Sequence, residues 1–440
     1  MSAAARFSGW LLSGVWLLEL ARLVHRNETL STLALVGLLL FLLIALLRAS
    51  RHIQILFAAV TGIALLIAVV QKDIAILLAG LERARIFGAF LPSVLLLRAT
   101  AEHSPRIGAL RGGVGELGER ERENWMVGGS HALGSVLNVG AMGVMAPMLA
   151  RDLPAAQRQA LAAASVRGVG TAVMWSPFFV ALGFVSHLVP GVQLWEVMAL
   201  GIGTAAIGLL ISYRMFTPGL GLARVLASTG ALRGLLWPMG VVVAGVLVLS
   251  EALSLSGPAA VGLGVPALCG AYLATAARST IARVARSTLD SFSRLADEML
   301  IVVGATVLGT VIGSLREVSA MAASITPGFL SGVPLIAALV LVVVAGGVLG
   351  LHPMIAATVL LPILAGGAFG VSPAVLVATV VFAWGLNASI SIWSLPLAAA
   401  SSVFQVPLRG LCTGPALRFA AVYIAVVVAY LGLANALIAR

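Results

Sequence analysis

Arg167-Gly-Val-Gly-Thr-Ala-Val-Met-Trp-Ser-Pro177 and Trp384-Gly-Leu-Asn-Ala-Ser-Ile-Ser-Ile-Trp-Ser-Leu-Pro396 read as two versions of one segment. Each lies inside a long apolar stretch, and each interrupts it with glycine, small polar residues and proline. A helix broken at membrane depth is costly unless its freed backbone groups face protein, water or a ligand. Two such breaks, about half a chain apart, are what internal duplication in a secondary transporter produces.

The rest of the chain fits that setting. Of its 440 residues, 60% are hydrophobic and 10% are charged. Apolar runs of roughly 18–22 residues recur throughout, each long enough to cross a hydrocarbon core. The period-two alternation of a membrane barrel is absent. The expected fold class is an all-α polytopic membrane protein with about eleven transmembrane helices and two re-entrant hairpins in an inverted repeat. Its parts are an N-terminal span (1–28), a first repeat (29–213), a cytoplasmic linker (214–233) and a second repeat (234–440).

The net charge of +11 does not signal nucleic-acid binding. The basic residues are scattered over short loops, where the positive-inside rule accounts for them. Cys269 and Cys412 are the only cysteines, and their apolar surroundings favour neither a disulfide framework nor a metal site. The start, Met1 to Val24, reads as an uncleaved span rather than a signal peptide. Asn27-Glu28-Thr29 spells a glycosylation sequon in a tight loop. Gly113-Val-Gly-Glu-Leu-Gly118 spells GxGxxG but follows no strand, so it is not a dinucleotide site. With no P-loop, metalloprotease motif or nucleophile elbow in the chain, an enzyme is not expected.

Crossings are expected near 8–24, 29–47, 53–70, 74–97, 192–213, 234–254, 257–277, 297–315 and 417–437, with broken spans at 160–187 and 376–403. Loops bearing Arg48 and Arg51, Arg98 to Arg122, Arg151 and Arg158, Arg214 to Arg233, Arg278 to Arg294, and Arg409 and Arg418 are assigned to the cytoplasm. The opposite loops keep Arg22, Arg26, Lys72 and Arg316. The N-terminus is then cytoplasmic, in the inner membrane of a bacterium. Arginine-bearing loops flank Trp125–Leu149 at both ends, so this stretch must enter and leave on one side as a re-entrant hairpin with Asn138 near its tip. The stretch 333–367 is a second hairpin, divided at Gly350-Leu-His-Pro353. Pro147 and Pro362 stand 215 positions apart, close to the offset of the two breaks.

Ser135-Val-Leu-Asn-Val-Gly140 with Ala146-Pro147, the break at Arg167–Pro177, Leu351-His-Pro-Met354 and Gly385-Leu-Asn-Ala-Ser-Ile-Ser391 together resemble the ion transporter superfamily, from about Thr29 to Ala436. That group includes divalent-anion/sodium symporters, arsenite-permease-like proteins, sodium/proton antiporters and the large membrane subunits of tripartite periplasmic transporters. The resemblance implies that the hairpin tips and broken helices meet at the midplane, that one repeat moves as an elevator against a scaffold, and that the protein is a homodimer. The symporters' Ser-Asn-Thr pattern at both tips is not reproduced here.

Candidate substrate-binding residues follow. Asn138 and Asn387 can donate to a carboxylate, accept from a hydroxyl or coordinate Na⁺. Ser135, Thr171, Ser176, Ser389, Ser391 and Ser394 add small donors, although they could equally serve freed backbone groups. Arg167 either snorkels to the interface or pairs with an anionic substrate. His352 at the second tip, and less so His131, could bind an anion or relay a proton. Glu82 beside Arg83 and Arg85 reads as a neutralised cluster, and Glu19 as a solvated span end. No cofactor is expected beyond a coupling Na⁺ or H⁺. The expected function is secondary transport of a small, anionic solute. A cation/proton antiporter and a membrane subunit served by a soluble binding protein remain alternatives.

Overall fold

Asn27 shows how the helices start. Its side-chain oxygen accepts the N–H of Thr29 at 2.7 Å and opens a helix that is apolar without interruption from Leu33 to Leu47. The sequon asparagine is therefore an N-cap, the ordinary use of Asn at a helix start. Ser372 and Ser394 cap later helices in the same way, each followed by a proline within the first turn. This computed structural model describes residues 3–25, 27–109, 117–149, 153–315, 317, 320, 324, 328–365 and 369–438. Arg26, Arg111, Arg151, Asp152, Arg316 and residues 113–116 of the glycine-rich run lie outside them.

Every regular element among the described residues is helical. In chain order they are α1 (Ala3–Val24), α2 (Glu28–Arg48), α3 (Arg51–Val70), α4 (Ala75–Ala84), α5 (Phe87–Glu102), α6 (Pro105–Ala109), α7 (Glu119–Leu137) and α8 (Gly140–Met145). Next come α9 (Ala155–Val173), α10 (Val180–Leu188), α11 (Leu194–Phe216), α12 (Leu222–Ser228), α13 (Arg233–Ala252), α14 (Gly257–Ala274), α15 (Arg278–Phe292) and α16 (Ala296–Ser314). The remainder are α17 (Val333–Val348), α18 (Pro353–Leu364), α19 (Pro373–Ile390), α20 (Leu395–Phe404), α21 (Leu408–Leu411) and α22 (Pro415–Ile438). Nine helical segments among the described residues are long and apolar enough to cross a membrane, and three shorter apolar helices accompany them. The protein is an all-α polytopic membrane protein.

The first hairpin can be read from side-chain pairs. Ser130 meets Ser165 at 2.9 Å, His131 meets Thr171 at 3.0 Å, and Ser176 donates to the Ser135 carbonyl. Numbers rise together on both helices, so α7 and α9 point the same way. Two successive helices can do so only if the chain returns between them. The return is α8 with a 3₁₀ turn at Ala146–Met148, and it brings Met145 Sδ back to within 3.4 Å of Ser130 Oγ. Asn138 makes the reversal, with φ 55° and ψ −135°. Few side chains tolerate that positive φ, and Asn is one of them.

The second hairpin obeys the same logic. Asn387 Nδ2 donates to the Val343 carbonyl at 2.9 Å and Ser391 Oγ to the Gly347 carbonyl at 2.7 Å, so α17 and α19 are parallel. Helix α18 returns between them, and Gly332 N–H reaches the Phe369 carbonyl where both ends of the hairpin meet. Helices α9 and α19 cross in opposite senses. Gly170 faces Ser389 while Gly385 faces Met174. The two hairpins therefore point in opposite directions.

The structure corrects the readings of Glu19, Glu82 and residues 278–297. The span expected at 74–97 is the helical segment Ala75–Glu102, in which α4 and α5 meet at Arg85–Ile86 and Arg85 pairs with Glu19 at 3.0 Å. Glu19 is not solvated: it is fully buried between Arg85 and Arg22. Glu82 is exposed, and Arg83 instead donates to the His187 carbonyl. Residues 278–297 are not a loop. Helix α15 turns Val284, Thr288 and Phe292 inward, and Phe292 meets Trp16 edge-on at 5.7 Å. The linker at 214–233 begins as the last turn of α11 and continues through α12. Helix α16 bridges periphery and centre: a Cβ on Gly304 would lie 3.1 Å from Phe57, and one on Gly309 would lie 3.5 Å from Thr358.

Parallel packing of α7 and α9 puts their N-terminal ends on one side. Single cysteines at Arg120 and Ala156, in a background with Cys269 and Cys412 changed to serine, are expected to react with an impermeant maleimide from the same membrane face. Labelling from opposite faces would mean that Trp125–Leu149 crosses the bilayer.

Candidate functional site

Both breaks are closed by a serine with the same set of bonds. At the first, between α9 and α10, Ser176 N–H bonds the Ala172 carbonyl, its hydroxyl donates to Ser135 O, and its oxygen accepts from Phe178 N–H at 3.3 Å. At the second, between α19 and α20, Ser391 N–H bonds the Asn387 carbonyl, its hydroxyl donates to Gly347 O, and its oxygen accepts from Trp393 N–H at 3.3 Å. Ser176 and Ser391 are 215 positions apart. Each hydroxyl ties a broken helix to the last turn of the first helix of its hairpin. Backbone groups that cannot reach water are thereby paired. Ser394 completes the second break, donating to the Ala388 carbonyl at 3.0 Å.

The two broken helices touch just before they break, at Gly170 and Gly385. A Cβ on Gly385 would stand 2.8 Å from the Gly170 carbonyl oxygen. One on Gly170 would stand 3.1 Å from the Gly385 carbonyl and 2.3 Å from Ser389 Oγ. Only glycine permits this approach. Ser389 is thus placed at the crossing of the two halves.

The asparagines do not play matched roles. Asn138 sits at the hairpin tip, where its Oδ1 accepts its neighbour Val139 N–H at 2.8 Å. Asn387 lies on α19 itself and is 2% exposed. Its Nδ2 is held by Val343 O, whereas its Oδ1 is buried without a hydrogen-bond partner. It fits only because residue 347 is glycine, whose Cβ would come within 2.4 Å of the amide.

Around the first break the polar groups form a chain. Trp175 Nε1 donates to His131 Nε2 at 3.2 Å, so that nitrogen carries no proton. His131 Nδ1–H then donates to Thr171 Oγ1, whose own proton goes to the Gly168 carbonyl at 2.9 Å. Thr171 is therefore engaged with His131 rather than open. Ser135 donates to the Ala132 carbonyl, within its own helix. His352 is not drawn to the crossing. It caps α18 through Nδ1 and packs edge-on to Trp384 at 5.3 Å.

Arg167 lies one turn before the crossing and is buried. It donates to Glu123 Oε1 at 2.8 Å and to Ser212 Oγ at 3.0 Å, and its guanidinium carbon sits 3.8 Å from the Phe216 ring centroid. It does not snorkel. A cavity of about 190 Å³ opens against this pair, walled by Asn124, Val127, Leu209 and Tyr213 among others. It lies at the arginine-rich side, where α7 begins and α11 ends. Glu123, Ser212 and Phe216 were absent from the candidates read in the sequence. The available signal was Arg167 itself, since a lone charge in an apolar run requires a counter-charge.

No protein-family model and no curated protein matches the chain. Among solved structures, MtrF of Neisseria gonorrhoeae, described as illuminating a class of antimetabolite efflux pumps, aligns at 13% identity and a TM-score of 0.46, covering 79% of this chain and 80% of its own. The YdaH transporter of Alcanivorax borkumensis, described as having an unusual topology, aligns at 16% identity and a TM-score of 0.42, covering 79% and 86%. Neither likeness is strong enough to carry a conclusion about this chain.

The Asn387–Gly347 fit can be tested directly. Gly347→Ala is expected to destabilise by about 1–3 kcal/mol, the range for overpacking a close contact. Adding Asn387→Ala should recover part of the loss in thermal unfolding of the detergent-purified protein. Unchanged melting of Gly347→Ala would show that the contact is loose.

Proposed function

We propose that this chain is a secondary active transporter for a small solute, built as an inverted repeat and working by alternating access. The carrying observation is the crossing at Gly170 and Gly385. There, two broken helices of opposite direction, each fastened to a hairpin of its own half by the same serine bonds, meet back to back. Interrupted helices converging from two inverted halves are the usual way a transporter places its site at mid-depth.

In this reading the Ser176 and Ser391 bonds make each hairpin and its broken helix one body. The elevator movement implied by the resemblance to the ion transporter superfamily would carry these bodies against α1–α5 and α13–α16. The arginine-rich side faces the cytoplasm. The unpartnered Oδ1 of Asn387 is the acceptor left for a solute or a coupling Na⁺ or H⁺. The half-buried tip at Asn138 is the moving end of the first hairpin.

Proteoliposomes with imposed sodium, proton and solute gradients are expected to show tracer uptake driven by one of them. Asn387→Ala should abolish it while leaving purification and melting unchanged. Asn138→Gly keeps the positive-φ turn but removes the amide, so it isolates the side chain's part. Gradient-driven uptake surviving both changes would remove these residues from the site. Absence of any counterflow would remove transport itself.

A further inference from the structure

The Glu123–Arg167 pair has no counterpart at the second break. The chain contains its own control, because the second break is built on the same bonds without it. The positions 215 residues after Glu123 and Arg167 are Ala338 and Phe382, neither of them charged. Phe382 is fully buried and packs edge-on against Tyr423 at 5.0 Å. The position matching Arg167 is thus filled by an aromatic ring packed on α22, whereas Arg167 carries a charge bonded to its own hairpin. A buried ion pair is a poor substitute for apolar packing, because desolvation offsets its attraction. The Glu123–Arg167 pair also faces a cavity.

The cavity's chemistry is specific. Arg167 presents a guanidinium that rests over the Phe216 ring and is fastened by Ser212. Glu123 presents a carboxylate with 16% of its side chain exposed. Val127, Leu209 and Val225 add apolar surface to the cavity lining, beside Asn124, Tyr213, Thr217 and Thr229. At about 190 Å³ the space is smaller than the roughly 300 Å³ at which drug-sized sites begin, and it suits a small molecule.

Charge decides which molecule. A bare anion beside Arg167 would share the guanidinium with Glu123 and leave the site with an uncompensated negative charge. A bare cation beside Glu123 would leave an uncompensated positive charge in the same way. A molecule carrying both charges exchanges one pair for two: its carboxylate takes the guanidinium and its ammonium takes Glu123. No charge is left unpaired.

The geometry points to this cavity as a binding site for a small zwitterion with an apolar side chain, an α-amino acid of the leucine or methionine class. The inference rests on the transporter reading and names its solute class. It replaces the anionic solute expected from sequence, because Arg167 comes with its counter-charge already in place.

Binding can be read without any gradient, so its outcome is separate from transport. Thermal melting and equilibrium titration of the purified protein are expected to show saturable stabilisation by leucine and methionine. 4-Methylpentanoate lacks the ammonium and 3-methylbutylamine lacks the carboxylate. Each should bind at least about tenfold more weakly, a difference of about 1.4 kcal/mol. Glu123→Gln/Arg167→Gln removes both charges and leaves a neutral amide at each position, and it should lose the preference for leucine over both analogues. Equal binding of 4-methylpentanoate, no stabilisation by either amino acid, or an unchanged preference in the double variant would each overturn the proposal. If that variant does not fold, the ligand series on the unaltered protein decides. Zwitterion binding without counterflow would sink the transporter reading and leave this site standing.

Discussion

A peptide carbonyl inside a membrane must find a donor within the protein. That constraint governs this molecule. Ending a helix at mid-depth exposes several backbone groups at once, and each exposed group costs several kcal/mol in hydrocarbon. Ser176 and Ser391 meet the requirement with one atom each, donating to a neighbouring hairpin and accepting from two residues ahead. Because the partner carbonyl belongs to another helix, satisfying the backbone also fixes the hairpin. The break and the re-entrant helix are one device.

Charges are handled by the same rule. Glu19 is clasped by Arg22 and Arg85, and Glu123 by Arg167. The two groups differ in their surroundings. The first is sealed among α1, α2 and α5, where Arg85 also donates to the Ser31 carbonyl at 2.9 Å. The second opens onto a cavity and rests on an aromatic ring. Burial between two arginines marks the first as a brace, and access marks the second as a place where partners can be exchanged.

Much of the architecture was legible because its signals are local. Glycine, serine and proline within a few residues of each other mark a break wherever it lies, and arginine-rich flanks at both ends of Trp125–Leu149 require a return. What was not legible depends on pairs distant in sequence. Glu123 and Arg167 are 44 positions apart, and they meet only because α7 and α9 run parallel. The junction of α4 and α5 at Arg85–Ile86 carries no proline or glycine of its own, and there Arg85 pairs with Glu19, which reads in sequence as a solvated residue. Helix α15 looked like a loop because its arginines outnumber the apolar residues that dock it. Asn138 and Asn387 looked equivalent because both neighbour an interruption. One is at a tip and the other on the continuous part of α19, a distinction that needs the register between hairpin and helix.

Helix α16 has a consequence for how the membrane and the centre communicate. Phe57 of α3 presses on it from the lipid-facing rim, and Thr358 of the second hairpin rests on it from within. The rim helices α2 and α3 present Leu39, Leu43, Leu66 and Val70 outward, whereas α19 is enclosed on every side. The outer helices and the second hairpin therefore pack on one and the same helix, at Gly304 and Gly309, so a change in lateral packing at the rim and a change at that hairpin fall on a shared neighbour.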